Sequence, residues 1–334
     1  MARQASTAAK FLTDHSCLAI IAARFSCGAP RGGAELGPGA LIDSRIFSVI
    51  QSKGSYVCSF DNLSQDKSLG NAIESSDDSD PDVDGMKSPR TVSLAAKRVS
   101  ECVYAHARQG RFVMTLGGDH SMGIGTLTGS ARALRERFGG TSAELSVLWV
   151  DAHADINTPE TSLSGRIHGM PVAFASGLAK SRGKNVFDWI TETHLINLKK
   201  FVYIGLRDVD EAEENLIKEN GIKAFTMDDV RRQGIQTIMD LALEYLGDRT
   251  PIHVSYDIDS LDPEWAPSTG FPVTRGLSLE EGIYISHRLH KTGNLIAMDL
   301  VEINPLIQPS KLGKTLESAA SVIKSALGID REDI

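Results

Sequence analysis

The stretch Leu145-Ser-Val-Leu-Trp-Val-Asp-Ala-His-Ala-Asp155 joins a strand-like apolar run to ligand-type side chains at every second position. Pro251-Ile-His-Val-Ser-Tyr-Asp-Ile-Asp259 repeats this arrangement further along the chain. Successive side chains of an extended segment point to opposite faces, so Asp151, His153 and Asp155 share one side, as do the two aspartates that end the second stretch. Five such groups are more than one metal ion needs, and the two stretches therefore predict a two-metal site.

Strand-like runs of this kind alternate with helical segments over nearly the whole chain. Strands are predicted at 18–25, 112–116, 145–150, 201–205, 252–256 and 295–301, and helices at 92–108, 123–138, 228–246, 279–292 and 315–326. Most runs lack the alternation of a half-exposed strand, which favours strands covered on both faces. We therefore expect a single α/β domain over residues 1–334, with three α/β/α layers around a mainly parallel, doubly wound sheet. Ligands of such sheets bind beyond the carboxyl ends of the strands, where the candidate ligands fall.

Composition narrows the class of partner and the compartment. The net charge of -8 over 334 residues argues against a nucleic-acid or anionic-membrane surface. No apolar run reaches the roughly 18 residues of a membrane helix. The four cysteines form no CxxC pair and no disulfide framework, which favours a reduced, cytoplasmic setting. The basic, acid-free start of the chain leaves a mitochondrial transit peptide as the lesser alternative.

Residues 64–90 are a poor candidate for the core. They include an acidic run, Glu74-Ser-Ser-Asp-Asp-Ser-Asp-Pro-Asp-Val-Asp-Gly85, that is nearly free of apolar side chains. Its second half resembles the start of a calcium loop, but the bidentate acid of such a loop is replaced here by Thr91. We therefore expect a mobile surface loop rather than a calcium site.

A third strand end carries Gly117-Gly-Asp-His-Ser121 and adds a histidine at the same edge of the sheet. The candidate ligands are then two histidines and four carboxylates, namely His120, Asp151, His153, Asp155, Asp257 and Asp259. An oxygen-rich set without thiolate favours Mn²⁺ or a similar octahedral ion over a structural Zn²⁺ site. Two such ions can lower the pKa of a shared water toward neutrality and so provide hydroxide as a nucleophile.

With these motifs the chain resembles the ureohydrolase family, and within it the arginases of fungal type. The motifs are, in chain order, Pro30-Arg-Gly-Gly33, Gly117-Gly-Asp-His-Ser121, Asp151-Ala-His-Ala-Asp-Ile-Asn-Thr-Pro159, Ser164-Gly-Arg-Ile-His-Gly169, Gly205-Leu-Arg-Asp-Val-Asp210, Ser255-Tyr-Asp-Ile-Asp-Ser-Leu-Asp-Pro263 and Glu302-Ile-Asn-Pro305. The resemblance covers the chain apart from its start and the acidic segment. It implies hydrolysis of L-arginine to L-ornithine and urea by a homo-oligomer, either a trimer or a hexamer.

The resemblance also implies two Mn²⁺ ions per chain. One ion would be held by His120, Asp151, Asp155 and Asp257. The other would be held by His153, Asp151, Asp257 and Asp259, so that Asp151 and Asp257 bridge the pair.

Catalytic roles follow from the same resemblance. Asp155 would accept a hydrogen bond from the attacking hydroxide. His168 would shuttle protons, with a pKa near physiological pH. Glu302 would anchor the substrate guanidinium through a charge-assisted hydrogen bond.

The amino-acid end of the substrate has its own counterparts in the family. Residues 157–164 resemble the loop that binds the α-carboxylate, with contacts expected from Asn157, Ser162 and Ser164. The acids expected near the α-ammonium group are Asp208, Asp210 and Glu213. A substrate without an α-carboxylate would leave the donors of Asn157, Ser162 and Ser164 unpaired, at a cost of about 1–3 kcal/mol per buried group.

Three positions depart from the family pattern. Arg166 stands where arginases usually carry Asn, and it can either strengthen carboxylate binding or pair with a nearby acid and reshape the rim. Phe271 replaces the usual threonine near the guanidinium end, which removes a hydroxyl and adds bulk. Ala22-Ala-Arg-Phe25 replaces the usual Gly/Ala-Pro-Phe run. These departures leave two alternatives open: a ureohydrolase for agmatine or guanidinobutyrate, and a weakly active metal-binding homologue with a regulatory or interaction role.

Overall fold

The structure is a computed structural model that describes residues 10–53, 56–63, 80–140, 144–181 and 186–329. In this part of the chain one sheet is formed by β1 Asp14–Ala23, β2 Val57–Asn62, β3 Arg111–Gly117, β4 Ser146–Val150, β5 Phe201–Leu206, β6 Lys223–Thr226, β7 Ile252–Asp257 and β8 Leu295–Val301. The spatial order is β2-β1-β3-β8-β7-β4-β5-β6, and every pairing is parallel. The predicted α/β fold around a parallel sheet is therefore confirmed.

Helices flank the sheet and connect its strands. They are α1 Gly37–Asp43, α2 Ile46–Ser52, α3 Pro89–Ala107, α4 Gly123–Phe138, α5 Pro171–Ser176, α6 Glu211–Glu219, α7 Met227–Gln233, α8 Ile235–Leu246, α9 Leu279–Thr292 and α10 Leu312–Ala326. Among the described residues, no helix combines the length and the apolarity that crossing a membrane requires.

The predicted helix at 228–246 is broken into α7 and α8 by Gly234. This residue has φ 81° and ψ 148°, far from helical values, and its N–H closes α7 on the carbonyl of Val230. A positive φ is accessible to glycine at little cost because glycine has no Cβ. The prediction of one continuous helix was wrong at this point because hydrophobic periodicity continues across the break.

The buried strands explain why the apolar runs do not alternate. Every residue of β4, β5, β7 and β8 is buried, since helices cover both faces of these central strands. The edge strands β2 and β6 were not predicted. They are short and half-exposed, reading Val-Cys-Ser-Phe-Asp-Asn and Lys-Ala-Phe-Thr, and their sequences carry little apolar signal.

Of the acidic segment expected at 64–90, residues 64–79 lie outside the described residues. Beyond them, the carboxylate of Asp80 accepts hydrogen bonds from the backbone N–H of Arg90 and of Thr91, at the start of α3. Met86 is fully buried. Asp80 and Met86 therefore anchor this part of the segment to the domain, and the mobility of the segment as a whole stays a prediction.

Candidate metal centre

The predicted ligands meet at the carboxyl edge of the sheet. Strands β3, β8, β7 and β4 are neighbours in this order, so the residues that follow them lie side by side. His120 lies just after β3, the Asp151 motif follows β4, Asp257 ends β7, and Glu302 follows β8. Strand order thus brings together groups that are far apart in the sequence.

Three carboxylates surround one nitrogen of His120. Its Nδ1 lies 3.0 Å from Asp151 Oδ2, 3.3 Å from Asp155 Oδ2 and 3.2 Å from Asp257 Oδ2. The ring of His120 stacks on Trp149, with centroids 4.0 Å apart and planes at 9°. These contacts form the first ligand group.

A second group forms around His153 and shares Asp151 with the first. His153 Nδ1 lies 3.4 Å from Asp151 Oδ1 and 3.3 Å from Asp259 Oδ2. Asp151 thus turns one oxygen toward each histidine, as a bridging ligand does. For Asp257, Oδ2 faces His120 while Oδ1 accepts a hydrogen bond from the backbone N–H of Asp259, at 2.8 Å. Its role as a second bridge stays a prediction.

The donor set fits a pair of divalent cations. Within the described part of the chain, His120 Nδ1 is buried without a hydrogen-bond partner, although three carboxylate oxygens lie within 3.3 Å. Burial, together with repulsion from Asp259 and Asp151, raises the pKa of Asp257 well above its ordinary value. Buried carboxylates are costly unless cations compensate them. An ion at each group would coordinate the free nitrogen and balance the four carboxylates.

The backbone and Trp149 hold Asp151 in place. The indole Nε1–H of Trp149 donates to Asp151 Oδ2 at 2.9 Å, and the N–H of His153 donates to Oδ1 at 2.8 Å.

Two other site residues adopt left-handed backbone conformations that non-glycine residues rarely take, Asp155 with φ 51° and Glu302 with φ 64°. Such conformations cost of order 1–3 kcal/mol each and concentrate at functional sites.

Glu302 presents one free carboxylate oxygen beside the ligand groups. Its Oε1 accepts a hydrogen bond from the N–H of His120 at 2.9 Å, and its own N–H donates to the carbonyl of Gly118. A side-chain carbon added at Gly270 would lie 3.1 Å from Oε2, so glycine leaves space in front of that oxygen. Burial, followed by repulsion from Asp119 and Asp259, raises the pKa of Glu302 well above its ordinary value. This environment favours a cationic partner.

His168 packs face to face with Phe271. Their ring centroids are 5.1 Å apart with planes at 24°, and the rings of Phe271 and His153 are nearly perpendicular, with centroids 6.4 Å apart. Burial, followed by the electrostatic effect of the neighbouring His153 and His120, lowers the pKa of His168 to about 4. The expectation of a pKa near physiological pH is corrected accordingly, because burial disfavours the charged ring. At neutral pH His168 is a neutral imidazole that can accept a proton.

The loop at 157–164 is stabilised by its own side chains. Asn157 Nδ2 donates to Asp210 Oδ2 at 2.8 Å, and Asn157 Oδ1 accepts from Thr161 Oγ1 at 2.7 Å. The hydroxyl oxygens of Ser162 and Ser164 accept backbone N–H groups of Gly165 and Arg166, both at 3.1 Å. No acceptor for the hydroxyl hydrogens of these two serines is found in the part of the chain that the structure describes.

Arg166 lies at this rim, near enough to His168 for its charge to contribute to the lowered pKa of that ring. It is half-buried, and no carboxylate among the described residues pairs with its guanidinium. The second of the two outcomes expected from the sequence, pairing with a nearby acid, is therefore not seen in the described part of the chain.

Asp208 contacts His153, a predicted ligand, at Nε2, the ring nitrogen that faces away from Asp151 and Asp259. Its Oδ2 is 3.5 Å from His153 Nε2, and the hydrogen bond with His153 lowers the pKa of Asp208. The sequence had placed Asp208 among the acids near the α-ammonium group. The structure places it beside His153 Nε2, where carboxylates commonly orient a ligating histidine, and its contact with the α-ammonium group stays a prediction.

Asp210 and Glu213 form a capping box at the start of α6. Asp210 Oδ1 accepts the N–H of Glu213 at 3.0 Å, and Glu213 Oε2 accepts the N–H of Asp210 at 3.3 Å. Glu213 Oε1 also accepts the N–H of Ile156 at 3.2 Å. Burial, followed by repulsion from Asp155 and Asp210, raises the pKa of Glu213 to about 8. These acids therefore tie α6 to the metal-ligand turn, whatever their part in substrate binding.

Arg207 is a supporting residue that the sequence motifs did not single out. Its Nη2 donates to the carbonyls of Asp259 at 2.6 Å and of Val273 at 2.9 Å. It thereby connects the second ligand turn to the segment that follows Phe271. The position of Arg207 inside Gly205-Leu-Arg-Asp-Val-Asp210 was the available signal.

A third His/Asp cluster at the sheet edge has different chemistry. Asp61, Cys102 and His106 lie close enough to hold an ion. However, Arg111 Nη1 lies 3.1 Å from His106 Nδ1 and can only donate, so the ring proton belongs on Nε2, where it faces Asp61. Burial, followed by Asp61, raises the pKa of the Cys102 thiol to about 12. The cluster is a closed hydrogen-bond network, which we do not assign to a metal.

Comparison with known proteins agrees with this geometry. A family model described as "Arginase family" matches residues 16–328. The chain is 48% identical to an arginase of Coccidioides immitis over 319 residues, 96% of each chain. It is 48% identical to an arginase of Neurospora crassa over 322 residues, 96% of this chain and 88% of that one. Among solved structures, Entamoeba histolytica arginase in complex with L-ornithine is similar with a TM-score of 0.80 at 30% identity, covering 94% of this chain and 98% of that chain.

Proposed function

The chain belongs to the arginase family, and from this membership we propose that it hydrolyses L-arginine to L-ornithine and urea. The observation that carries the proposal is the pair of histidine–carboxylate groups joined by Asp151, with the free oxygen of Glu302 beside them. This arrangement matches the needs of a guanidino substrate, which is a cation with an electrophilic carbon.

We further propose that the two groups hold two Mn²⁺ ions. His120, Asp155 and Asp151 supply one group, and His153 and Asp259 complete the other with Asp151. The hard oxygen donors and the two imidazoles support manganese over a metal that prefers thiolate ligands. When bound, such ions lower the pKa of a shared water so that hydroxide is available near neutral pH.

The side chains around the ions orient the substrate and move protons. Glu302 Oε2 accepts hydrogen bonds from the guanidinium, while Oε1 stays fixed by His120. Asp155 would accept a hydrogen bond from the attacking oxygen as this oxygen bonds to the guanidinium carbon, and it would pass the proton to the nitrogen that leaves as the δ-amine of ornithine when the carbon–nitrogen bond breaks. His168, neutral at physiological pH, exchanges protons between the pocket and solvent.

A urea assay after manganese loading, with arginine, agmatine and guanidinobutyrate in parallel, tests the proposal. We expect arginine to be turned over fastest. Faster turnover of agmatine would replace arginine with another guanidino substrate, an alternative that Arg166 and Phe271 keep open. Bound manganese with negligible urea from all three compounds would instead support a regulatory homologue.

Arg166 is proposed to contact the substrate α-carboxylate, together with Asn157, Ser162 and Ser164. Replacing Arg166 with Asn is expected to raise KM for arginine about tenfold, because one charge-assisted hydrogen bond contributes roughly 1.5 kcal/mol. KM for agmatine, which lacks the carboxylate, should not change. Urea release over a range of concentrations measures both, with Arg166→Lys as the charge-conserving control. An equal change for the two substrates would show that Arg166 shapes the rim instead.

Phe271 is expected to limit the rate, because its ring takes the space between His168 and His153. Phe271→Thr should raise kcat/KM for arginine by about tenfold, the effect of gaining one well-placed hydroxyl hydrogen bond. Phe271→Leu is the matched control, since it removes the aromatic ring but adds no hydroxyl. If Phe271→Thr is no faster than the parent enzyme, the aromatic ring does not impede catalysis.

The compartment and assembly are further proposals. None of the four cysteines, all of which lie in the described part of the chain, is in a disulfide, and this supports a reducing, cytoplasmic location. The homotrimer or hexamer rests on family membership, and size-exclusion chromatography with light scattering measures it.

A further inference from the structure

A column of buried polar side chains runs into the sheet behind His120. Along β7, His253, Ser255 and Asp257 occupy alternate positions and so face the same side. Ser255 is directly paired with Asp299 on the neighbouring strand β8. His253, Ser255 and Asp299 are all at most 1% exposed. The proposed mechanism uses none of these three residues.

Two hydroxyl donors converge on one oxygen of Asp299. Ser255 Oγ donates to Asp299 Oδ2 at 3.2 Å, and Thr126 Oγ1 donates to the same oxygen at 2.5 Å. His253 Nε2 lies 2.9 Å from it. On its other side, Ser255 Oγ lies 2.9 Å from His120 Nε2. A continuous path therefore leads from Asp299 through Ser255 to a predicted metal ligand.

The chemistry of these groups sets the direction of each hydrogen bond. A carboxylate can only accept, so the hydroxyl hydrogen of Ser255 is directed toward Asp299. The oxygen lone pairs of Ser255 then accept the Nε2–H of His120. A neutral imidazole carries one N–H, so the Nδ1 of His120 keeps its lone pair and directs it at the three carboxylates.

We propose that Asp299 is a positioning residue that acts through Ser255 to hold His120 as an Nδ1 ligand of one ion. The inference rests on the proposed two-ion centre. The histidine ligand of the second ion is oriented by a different residue, because Asp208 contacts Nε2 of His153. Loss of Asp299 should therefore weaken one ion site and spare the other.

The test is Mn²⁺ binding to the full-length chain, measured by equilibrium dialysis with metal analysis. Asp299→Leu removes the acceptor at similar volume, and Ser255→Ala removes the link while keeping Asp299. In each variant we expect one of two ions to bind about tenfold to a hundredfold more weakly, the usual effect of losing an outer partner of a ligand. The other ion should bind as in the parent. At saturating Mn²⁺, KM for arginine should stay unchanged.

Thr115→Val is the matched control, because Thr115 pairs with Asp299 across β3 and β8 and its buried hydroxyl has no hydrogen-bond partner among the described residues. It should leave both affinities unchanged. If Asp299→Leu does not fold, Ser255→Ala decides the question by itself.

Two results would overturn the inference: parental affinity for both ions in the variants, or equal weakening of both ions together with a lower Tm. A parent chain that binds fewer than two ions would overturn the proposed two-ion centre and this inference with it. Since ion binding is measured without arginine, failure of the inference is distinguishable from failure of the proposed activity.

Discussion

Asp151→Asn should reduce kcat for arginine by roughly a thousandfold or more, the scale of losing a central electrostatic group in an enclosed site. Asp151 is the carboxylate shared by both ligand groups, with Oδ2 facing His120 and Oδ1 facing His153. An amide keeps the shape but removes the charge and offers one acceptor oxygen instead of two. We therefore expect both ions to bind more weakly, as measured by metal analysis after dialysis and by urea release.

Asp61→Asn is the control for this experiment. Asp61 also lies beside a histidine at the end of a strand, but its cluster with His106 is a closed network. This variant should bind as many ions as the parent and keep its activity. A fall in bound manganese for Asp61→Asn, or parental binding and activity for Asp151→Asn, would contradict the assignment of the centre.

Glu302→Gln should lower kcat/KM for arginine by about a thousandfold, because removing one partner of a buried charged pair costs roughly 4 kcal/mol. The amide oxygen can still accept the N–H of His120, which now holds Oε1. The amide NH₂ then replaces Oε2 and faces the donors of the guanidinium. Steady-state kinetics measure the loss, and metal analysis should show an unchanged ion content.

A lower kcat/KM with an unchanged ion content in Glu302→Gln would distinguish substrate anchoring from metal binding. Glu281→Gln, in the capping box of α9, removes an acid elsewhere and should leave the kinetics unchanged. If Glu302→Gln loses its ions in proportion to its activity, Glu302 supports the centre and does not anchor the guanidinium.

The predictable parts of the fold were those with a local signal. The boundaries of α9 follow from Ser278 and Glu281 as a capping box and from Gly293, with φ 66°, as the terminating residue. The strand before Asp151 follows from an apolar run that is buried on both faces. The edge strand β6 gives no such signal, because Lys223-Ala-Phe-Thr becomes a strand by pairing with β5.

The candidate site also has features that the sequence predicts and features that depend on the tertiary structure. The ligand residues could be predicted because each follows a recognisable strand, and parallel strands end at one edge. The location of Asp208 beside His153 could not be predicted, because it depends on how the turn after β5 approaches the turn after β4. The stacking of Phe271 on His168 likewise depends on two loops that are far apart in the chain.

The sequence by itself therefore determined the parallel α/β fold, the ligand types and the family. These properties depend on short segments of sequence, namely on their periodicity, their strand–turn junctions and the spacing of their motifs. The tertiary structure decided that the two ligand groups share the carboxylate of Asp151 and that Nδ1 of His120 is free for an ion. It also decided which buried residues hydrogen-bond to the ligands. Asp299 reaches His120 through Ser255 only because β8 lies between β3 and β7. Strand order is a global outcome of packing, and hydrogen-bond directions follow from the neighbours that packing supplies.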